Sequence, residues 1–170
     1  PSASIDGISV QKMIKDTKYE LILGSKRDPV FGSTVMFGRG GTDVEFFKDT
    51  TIGFPPLNQT LARLLMEETD IFNLIKQDED ADEMINSLER HLVSLSQLII
   101  DFPEIIELDV NPISFTENGF QALDALIKID KDLALKEPDP EEFLMIKPYP
   151  REYMEEWELN DETPVTIRPI

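Results

Sequence analysis

The spacing of apolar residues changes at Pro55-Pro56, and this change constrains the fold more than any other feature. Before the two prolines, short runs rich in β-branched and aromatic residues are separated by turn residues, a pattern typical of strands. After them, apolar residues recur every three or four positions, a pattern typical of helices. A strand-rich segment followed by helices predicts an α+β fold, with a mixed or antiparallel sheet packed against helices.

The segment before the prolines contains four predicted strands. They make a small antiparallel sheet the simplest arrangement, because only short turns separate them. The four runs are residues 8–14, 19–26, 34–37 and 44–47. After the prolines, Asn58 is a predicted N-cap for a helix that continues through Met66.

Residues 84–99 give the clearest helical pattern in the chain. Apolar positions follow one another at spacings of three and four, which predicts an amphipathic helix with one face in the core. Asp101-Phe102-Pro103 is expected to end this helix. His91 lies on the apolar stripe and is therefore predicted to be a structural histidine, not a catalytic one.

A β-hairpin is predicted between residues 105 and 129. Apolar and polar residues alternate in 105–111, a second run covers 120–129, and Asn118-Gly119 is a strong hairpin turn signal. With these two residues as the turn, Glu117 faces Phe120. In that register Asp124 lies diagonally across from Asn111.

One face of this hairpin is predicted to be strongly acidic. The two-residue period of a strand places four oxygen-bearing side chains on it: Glu107, Asp109, Asn111 and Asp124. Carboxylate and amide oxygens are the ligands that Mg²⁺ prefers, together with substrate phosphates. The same pattern also fits a solvated strand face in an acidic protein, and spacing alone leaves both interpretations open.

Charge and composition exclude several classes of function. The chain has 16 Lys and Arg against 34 Asp and Glu, a net charge of −18 that would repel nucleic acids and anionic membranes. It has no cysteine and one histidine, so thiolate chemistry and a histidine-based zinc site are excluded. No apolar run is long enough to span a bilayer, and we expect a cytoplasmic protein.

The last part of the chain, residues 136–170, is rich in proline and acidic residues and is predicted to be an extended linker or arm. We therefore expect two units, residues 1–135 and residues 136–170. Because the sequence begins with Pro1 and not with Met, we also expect it to be a processed product or, in preference, a piece excised from a longer protein.

Four segments, taken in order, resemble the ATP-grasp region of the nucleoside-diphosphate-forming acyl-CoA synthetases, a family related to the succinyl-CoA synthetase β-subunit. The resemblance runs from about residue 5 to residue 129 and corresponds to the carboxy-terminal part of that region. The segments that carry it are residues 8–14, 19–32, 35–45 and 101–112. Four separate motifs in the right order make the resemblance more specific than any one of them.

The resemblance implies a nucleotide site and a metal site. It implies that ATP or ADP and Mg²⁺ are cofactors, and that the parent protein also uses CoA. A hinge strand would meet the adenine through the backbone of Gln11, Lys12, Met13 and Ile14. Glu20 would contact the nucleotide, Asn111 and Asp124 would bind Mg²⁺, and Asp109 would lie beside them as a weaker metal candidate. The resemblance assigns no role to the individual residues of the glycine-rich loop 38–41.

The resemblance also implies partners and an activity. The parent would be a ligase that makes or breaks an acyl-CoA thioester coupled to ADP and ATP. It would add an amino-terminal ATP-grasp half with the phosphate-binding lysine, and a CoA-binding domain. The isolated chain is therefore expected to be inactive.

Residues 149–170 are similar to the junction that precedes a GNAT acetyltransferase domain in fused bacterial proteins. The alternative function is therefore a non-catalytic regulatory module of a protein lysine acetyltransferase. A purely structural or partner-binding domain is the third option that the sequence leaves open.

Overall fold

The computed structural model describes residues 7–8, 10–15, 17–41, 49–136, 138–147, 154–159 and 163–167. Within these residues the main feature is a six-stranded antiparallel sheet with the order β3-β2-β1-β4-β5, in which β6 also pairs with β4. Its strands are β1 (Glu20–Asp28), β2 (Gly32–Arg39), β3 (Thr50–Gly53), β4 (Ile105–Thr116), β5 (Gly119–Ala122) and β6 (Ala125–Ile129). The long strand β4 pairs with β1 on one side and with β5 and β6 in succession on the other.

Three helices cover one face of this sheet, namely α1 (Gln59–Glu67), α2 (Asp70–Ile75) and α3 (Ala81–Asp101). The predicted cap is confirmed, because the Asn58 side chain accepts a hydrogen bond from the N–H of Leu61. A short helix, α4 (Lys131–Ala134), follows the sheet. Within the described residues, no helix combines the length and the apolar character needed to cross a membrane.

The hydrophobic core lies between the sheet and the helices. Alternation along β2 turns Val35 and Phe37 inward, where both are fully buried, and turns Met36 to the other face. On the helical side, Leu88 and Leu92 of α3 are likewise fully buried. The α+β expectation is therefore confirmed, and the helices α1, α2 and α3 leave the other face of the sheet uncovered, which we call its open face.

One of the strand predictions differs from the structure. The described residues of the predicted strand 8–14 are in no strand, and Ile8 and Val10 are 89% and 94% exposed. These side chains have no apolar surface to pack against, and burial on a packed sheet is what favours such residues in strands. The predicted strand 44–47 lies outside the described residues, and the four-residue strand β3 was not predicted.

The β4–β5 hairpin is present, but its predicted register is wrong by two residues. Phe120 pairs with Phe115 and Gly119 pairs with Thr116, so Glu117 is in the turn and does not face Phe120. Gly119 adopts a φ of +87°, which makes it the left-handed residue after the turn and not one of its two central residues. Because the shift is two residues, Asp109, Asn111 and Asp124 stay on one face. Irregularities in the pairing of β4 turn Ile105 and Ile113, predicted on that same face, into the core.

The predicted arm 136–170 contains ordered contacts. Leu144 is buried, and the carbonyl oxygen of Phe143 accepts a hydrogen bond of 2.7 Å from the N–H of Ser33 on β2. Further along, β7 (Glu155–Glu158) and β8 (Pro164–Ile167) pair as a separate antiparallel hairpin. The division into units 1–135 and 136–170 stays a prediction.

Candidate functional site

Three of the predicted metal ligands lie together on the open face of the sheet. The N–H of Asn111 on β4 donates a 3.2 Å hydrogen bond to the carbonyl oxygen of Asp124, which lies in the break between β5 and β6. Asn111 therefore lies directly opposite Asp124, and not opposite Leu126 as the predicted register had it. Asp109, two residues earlier on β4, shares their face. We refer to Asp109, Asn111 and Asp124 as the oxygen cluster.

Asp109 is the most electrostatically perturbed member of the oxygen cluster. Its Oδ1 atom is buried and has no hydrogen-bond partner among the described residues. Burial raises the pKa of Asp109, and the negative charges of Glu107 and Asp124 raise it further. A bound cation would relieve both effects, because it would pair the buried oxygen and offset the neighbouring charges.

We expect Asp109→Asn to stabilise the metal-free chain at pH 7. The raised pKa means that the folded state holds this proton more tightly than the unfolded state. The stability of the wild-type chain therefore falls as pH rises from the ordinary aspartate pKa of about 4 towards the raised value. The asparagine removes this loss, so its advantage should be present at pH 7 and vanish near pH 3, as measured by urea denaturation.

Glu117→Gln is the matched control for this prediction. It also removes one negative charge from an acidic chain, but at the exposed tip of the β4–β5 hairpin. An equal gain in both variants at pH 7 would show that net charge, and not the environment of Asp109, accounts for the effect.

The glycine-rich segment 38–41, expected as a loop, begins within β2 and runs just past its end. It contacts the oxygen cluster, a role that the sequence did not reveal. The N–H of Gly41 donates a 2.8 Å hydrogen bond to Oδ1 of Asn111, and the N–H of Gly40 donates one of 2.8 Å to the carbonyl oxygen of Glu20. A Cβ on Gly40 would lie 2.3 Å from the carbonyl oxygen of Leu21. Gly41 has a φ of +84°, and a Cβ on this residue would lie 2.1 Å from Oε2 of Glu20. The close approach that brings Glu20 and Asn111 to one loop therefore requires glycine.

The oxygen cluster fits Mg²⁺ that is shared with a nucleotide, but it does not form a closed all-protein cage. In the described part of the chain, no three His, Cys, Asp or Glu side chains form a group that could hold a metal ion. Mg²⁺ is typically bound by one or two carboxylates together with phosphate oxygens and water. Asn111 retains a second lone pair on its amide oxygen beyond the one that Gly41 uses. The Asp124 carboxylate accepts a 2.9 Å hydrogen bond from Ala125 and likewise keeps capacity for a ligand.

The predicted hinge lies at the other end of the same hairpin. A cavity of about 320 Å³ lies between the hinge and the hairpin tip, and its lining includes Lys12, Met13 and Ile14 together with Thr116. Gln11 is exposed and does not line this cavity. Five residues of strand separate Thr116 from Asn111, a distance of roughly 16 Å. The hinge cavity and the oxygen cluster are therefore two separate places along β4.

A larger cavity of about 690 Å³ lies beside Asp109 on the open face of the sheet. We call it the open-face cavity. Its apolar lining includes Met36, Ile52 and Phe54, and its rim includes Phe31 from the β1–β2 turn. Residues from four strands and one turn meet there, so no local sequence signal could have identified it.

Comparisons by sequence and by structure indicate the same protein family. The family model for the ATP-grasp domain matches residues 1–129. Acetate–CoA ligase [ADP-forming] I of Archaeoglobus fulgidus is 37% identical over 127 residues, which cover 73% of this chain and 18% of that protein. The β-subunit of acetate–CoA ligase [ADP-forming] I of Pyrococcus furiosus is 32% identical over 126 residues, which cover 74% of this chain and 54% of that subunit. The chain therefore spans less than two thirds of the length of either relative.

Solved structures give the same result. ACD1 of Ca. Korarchaeum cryptofilum, in complex with coenzyme A, superimposes with a TM-score of 0.65 at 32% identity. The match covers 75% of this chain and 57% of that one. The dinucleotide-forming acetyl-coenzyme A synthetase 1 of the same organism, in complex with coenzyme A and Mg-AMPPCP, matches with a TM-score of 0.59 at 32% identity, covering 66% of this chain and 53% of that one.

Proposed function

Because the chain belongs to the ATP-grasp domain family, whose model matches residues 1–129, we propose that it supplies the nucleotide- and magnesium-binding part of an ADP-forming acyl-CoA synthetase. The expected fold, an antiparallel sheet packed against helices within an ATP-grasp region, is confirmed. The observation that carries the proposal is the oxygen cluster at Asp109, Asn111 and Asp124. The named relatives are ADP-forming CoA ligases, which supports the class of reaction.

In this proposal the open face of the sheet holds an extended nucleotide. The hinge residues Gln11, Lys12, Met13 and Ile14 contact the base through their backbone, and Glu20 contacts the nucleoside. Asn111 and Asp124 hold Mg²⁺, with Asp109 as the third oxygen donor. Bound Mg²⁺ supplies charge neutralisation for phosphate oxygens during phosphoryl transfer.

The chain's own contribution is to orient these groups before the nucleotide binds. The hydrogen bond from Gly41 fixes the amide of Asn111, so that its second lone pair has a set direction. Burial keeps Oδ1 of Asp109 away from water, where an electrostatic interaction with a cation is stronger. Positioning and electrostatics of this kind account for most of the catalysis in phosphoryl transfer.

The complete reaction belongs to the full-length protein. An acid and CoA would be joined as a thioester while ATP is converted to ADP and phosphate, or the reverse. CoA and the acyl group would bind outside this chain, on an additional CoA-binding domain, and an amino-terminal ATP-grasp half would close the nucleotide cleft. The oxygen cluster would then supply one wall of that cleft.

The test is a calorimetric titration of the chain with ADP, with and without Mg²⁺, comparing the wild type with Asp124→Asn. The substitution keeps the shape of the side chain and the oxygen that accepts from Ala125, but removes the charge. We expect the affinity for Mg-ADP to fall about tenfold or more, because charge-assisted contacts to a cation are lost. The affinity for ADP without Mg²⁺ should stay the same.

Asp132→Asn is the matched control, since it makes the same charge change on the exposed helix α4. If Asp124→Asn and Asp132→Asn bind Mg-ADP as tightly as the wild type, Asp124 is not a metal ligand. Asn111→Ala should also lose the Mg²⁺-dependent part of binding, and its failure to do so would remove Asn111 from the site.

The regulatory alternative predicts a different result in the full-length protein. A regulatory module of an acetyltransferase fusion would bind Mg-ADP through the same residues but would form no acyl-CoA from acid, CoA and ATP. Measured thioester formation that is lost in Asp124→Asn would favour the synthetase. Binding without any turnover would favour the regulatory module.

A further inference from the structure

A short segment beyond the part that matches the ATP-grasp family returns to the sheet. We call residues 139–145 the strap. The carbonyl oxygen of Phe143 accepts the N–H of Ser33 at 2.7 Å, and the guanidinium of Arg27 lies 3.7 Å from the centroid of the Phe143 ring. Leu144 is buried beside them at 7% exposure. A main-chain hydrogen bond, a cation–π contact and one buried leucine therefore hold the strap on the β1–β2 turn.

The shape of the turn fits this contact closely. Gly32 adopts a φ of +73°, and a Cβ at this position would lie 2.1 Å from the carbonyl oxygen of Phe143. A side chain here would therefore collide with the backbone of the docked strap, in addition to the strain of its own backbone conformation. Glycine at this position leaves the space that the strap backbone occupies.

The docked strap leaves one polar group of Arg27 unsatisfied. The Nε atom of Arg27 is buried and has no hydrogen-bond partner among the described residues. Burial lowers the pKa of Arg27, and the charges of Asp130 and Glu142 act in the opposite direction. A contact that is favourable in packing but incomplete in hydrogen bonding can be released at modest cost.

The β1–β2 turn is also a wall of the open-face cavity. Arg27, Asp28, Pro29 and Phe31 line that cavity, and they also line a second hollow of about 300 Å³ bordered by the strap. One carboxylate oxygen of Asp28 accepts the N–H groups of Val30 and Phe31 at 2.7 and 2.9 Å. These two hydrogen bonds connect the backbone of the turn to the Asp28 side chain. We therefore expect the residues of the turn to move together.

We propose that residues 139–145 are a latch for this wall: when the strap docks, the β1–β2 turn is held in place and the open-face cavity is formed, and when the strap is released, the turn loosens with it. The strap and the turn are then one two-state element. A displacement of the chain after residue 145 that releases the strap would therefore also change the shape of the open-face cavity. The proposal concerns the shape of the cavity and does not depend on which ligand binds there.

Hydrogen exchange measured by mass spectrometry on Phe143→Ala tests the latch. The substitution removes the ring that packs on Arg27. Exchange should rise about tenfold or more in the strap and at Ser33, and also in the turn amides of Val30 and Phe31. The turn amides are decisive, because they donate to Asp28 and make no hydrogen bond to the strap. Amides in the middle of α3 should stay at wild-type exchange, which shows that the chain has not unfolded.

Gly32→Ala tests the same latch from the other side, and Gly119→Ala is its matched control. Both glycines have positive φ, so both substitutions strain the backbone, but a Cβ at Gly119 meets nothing within 4 Å. Gly32→Ala should raise exchange in the strap, and Gly119→Ala should leave the strap unchanged. A released strap with unchanged exchange at Val30 and Phe31 would overturn the proposal, and so would unchanged exchange in the strap in both Phe143→Ala and Gly32→Ala.

Discussion

Replacing Gly40 by alanine is expected to destabilise the chain and, in the same variant, to weaken the binding of Mg-ADP. The added Cβ would lie 2.3 Å from the carbonyl oxygen of Leu21 and 3.0 Å from Oδ1 of Asn111, so strand β1 or the loop must move. Overpacking of this kind costs about 1–3 kcal/mol and sometimes more. We expect a lower melting temperature, and a larger loss of Mg-ADP affinity than of affinity for ADP alone, because Asn111 is displaced.

Gly7→Ala is the control for this prediction. No atom lies within 4 Å of a Cβ at Gly7, and its backbone is not in the left-handed region. This variant should keep the melting temperature and the Mg-ADP affinity of the wild type. If Gly40→Ala behaves like Gly7→Ala in both measurements, the close approach between loop 38–41 and β1 does not hold the oxygen cluster in place.

The largest loss of stability is expected from Leu88→Ala in the middle of α3. Leu88 is fully buried between the helix and the sheet, and truncating such a leucine costs about 2–5 kcal/mol through lost burial and the cavity left behind. For a small domain this is a large part of a total of about 5–15 kcal/mol. Urea denaturation followed by circular dichroism measures the free energy of unfolding directly.

Leu98→Ala is the matched comparison on the same helix. Leu98 is 36% exposed and lies away from the central core, so the same change should cost a small fraction of that value. Similar losses in the two variants would contradict the arrangement in which α3 packs its Leu88 face on the sheet.

The sequence predicted α3 well because its signal is local. The spacing of apolar residues along one helix is fixed by 3.6 residues per turn, and no distant contact is needed to read it. The acidic face of the hairpin was also predicted, since the two-residue period survives a register shift of two. The register itself was missed, because Gly119 takes the left-handed position after the turn and not a central one. This choice depends on how β4 and β5 pack, which the turn sequence alone does not determine.

The contacts that shape the site could not be predicted from local patterns. Gly41 and Asn111 are 70 residues apart, and their hydrogen bond exists because β1 places β2 and β4 on its two sides. The docking of Phe143 on Ser33 joins residues 110 positions apart in a segment whose composition indicates a linker. In both cases the decisive term is tertiary packing, which overrides what the separate segments favour.

The three members of the oxygen cluster come from two kinds of backbone. Asp109 and Asn111 belong to a strand that has β1 on one side and β5 followed by β6 on the other. Asp124 instead lies at the joint where β5 ends and β6 begins. Two of the donors thus lie within one long strand, and the third lies in the connection between two short ones. The connection of residues 123 and 124 therefore sets where the third donor stands, separately from the strand that carries the other two.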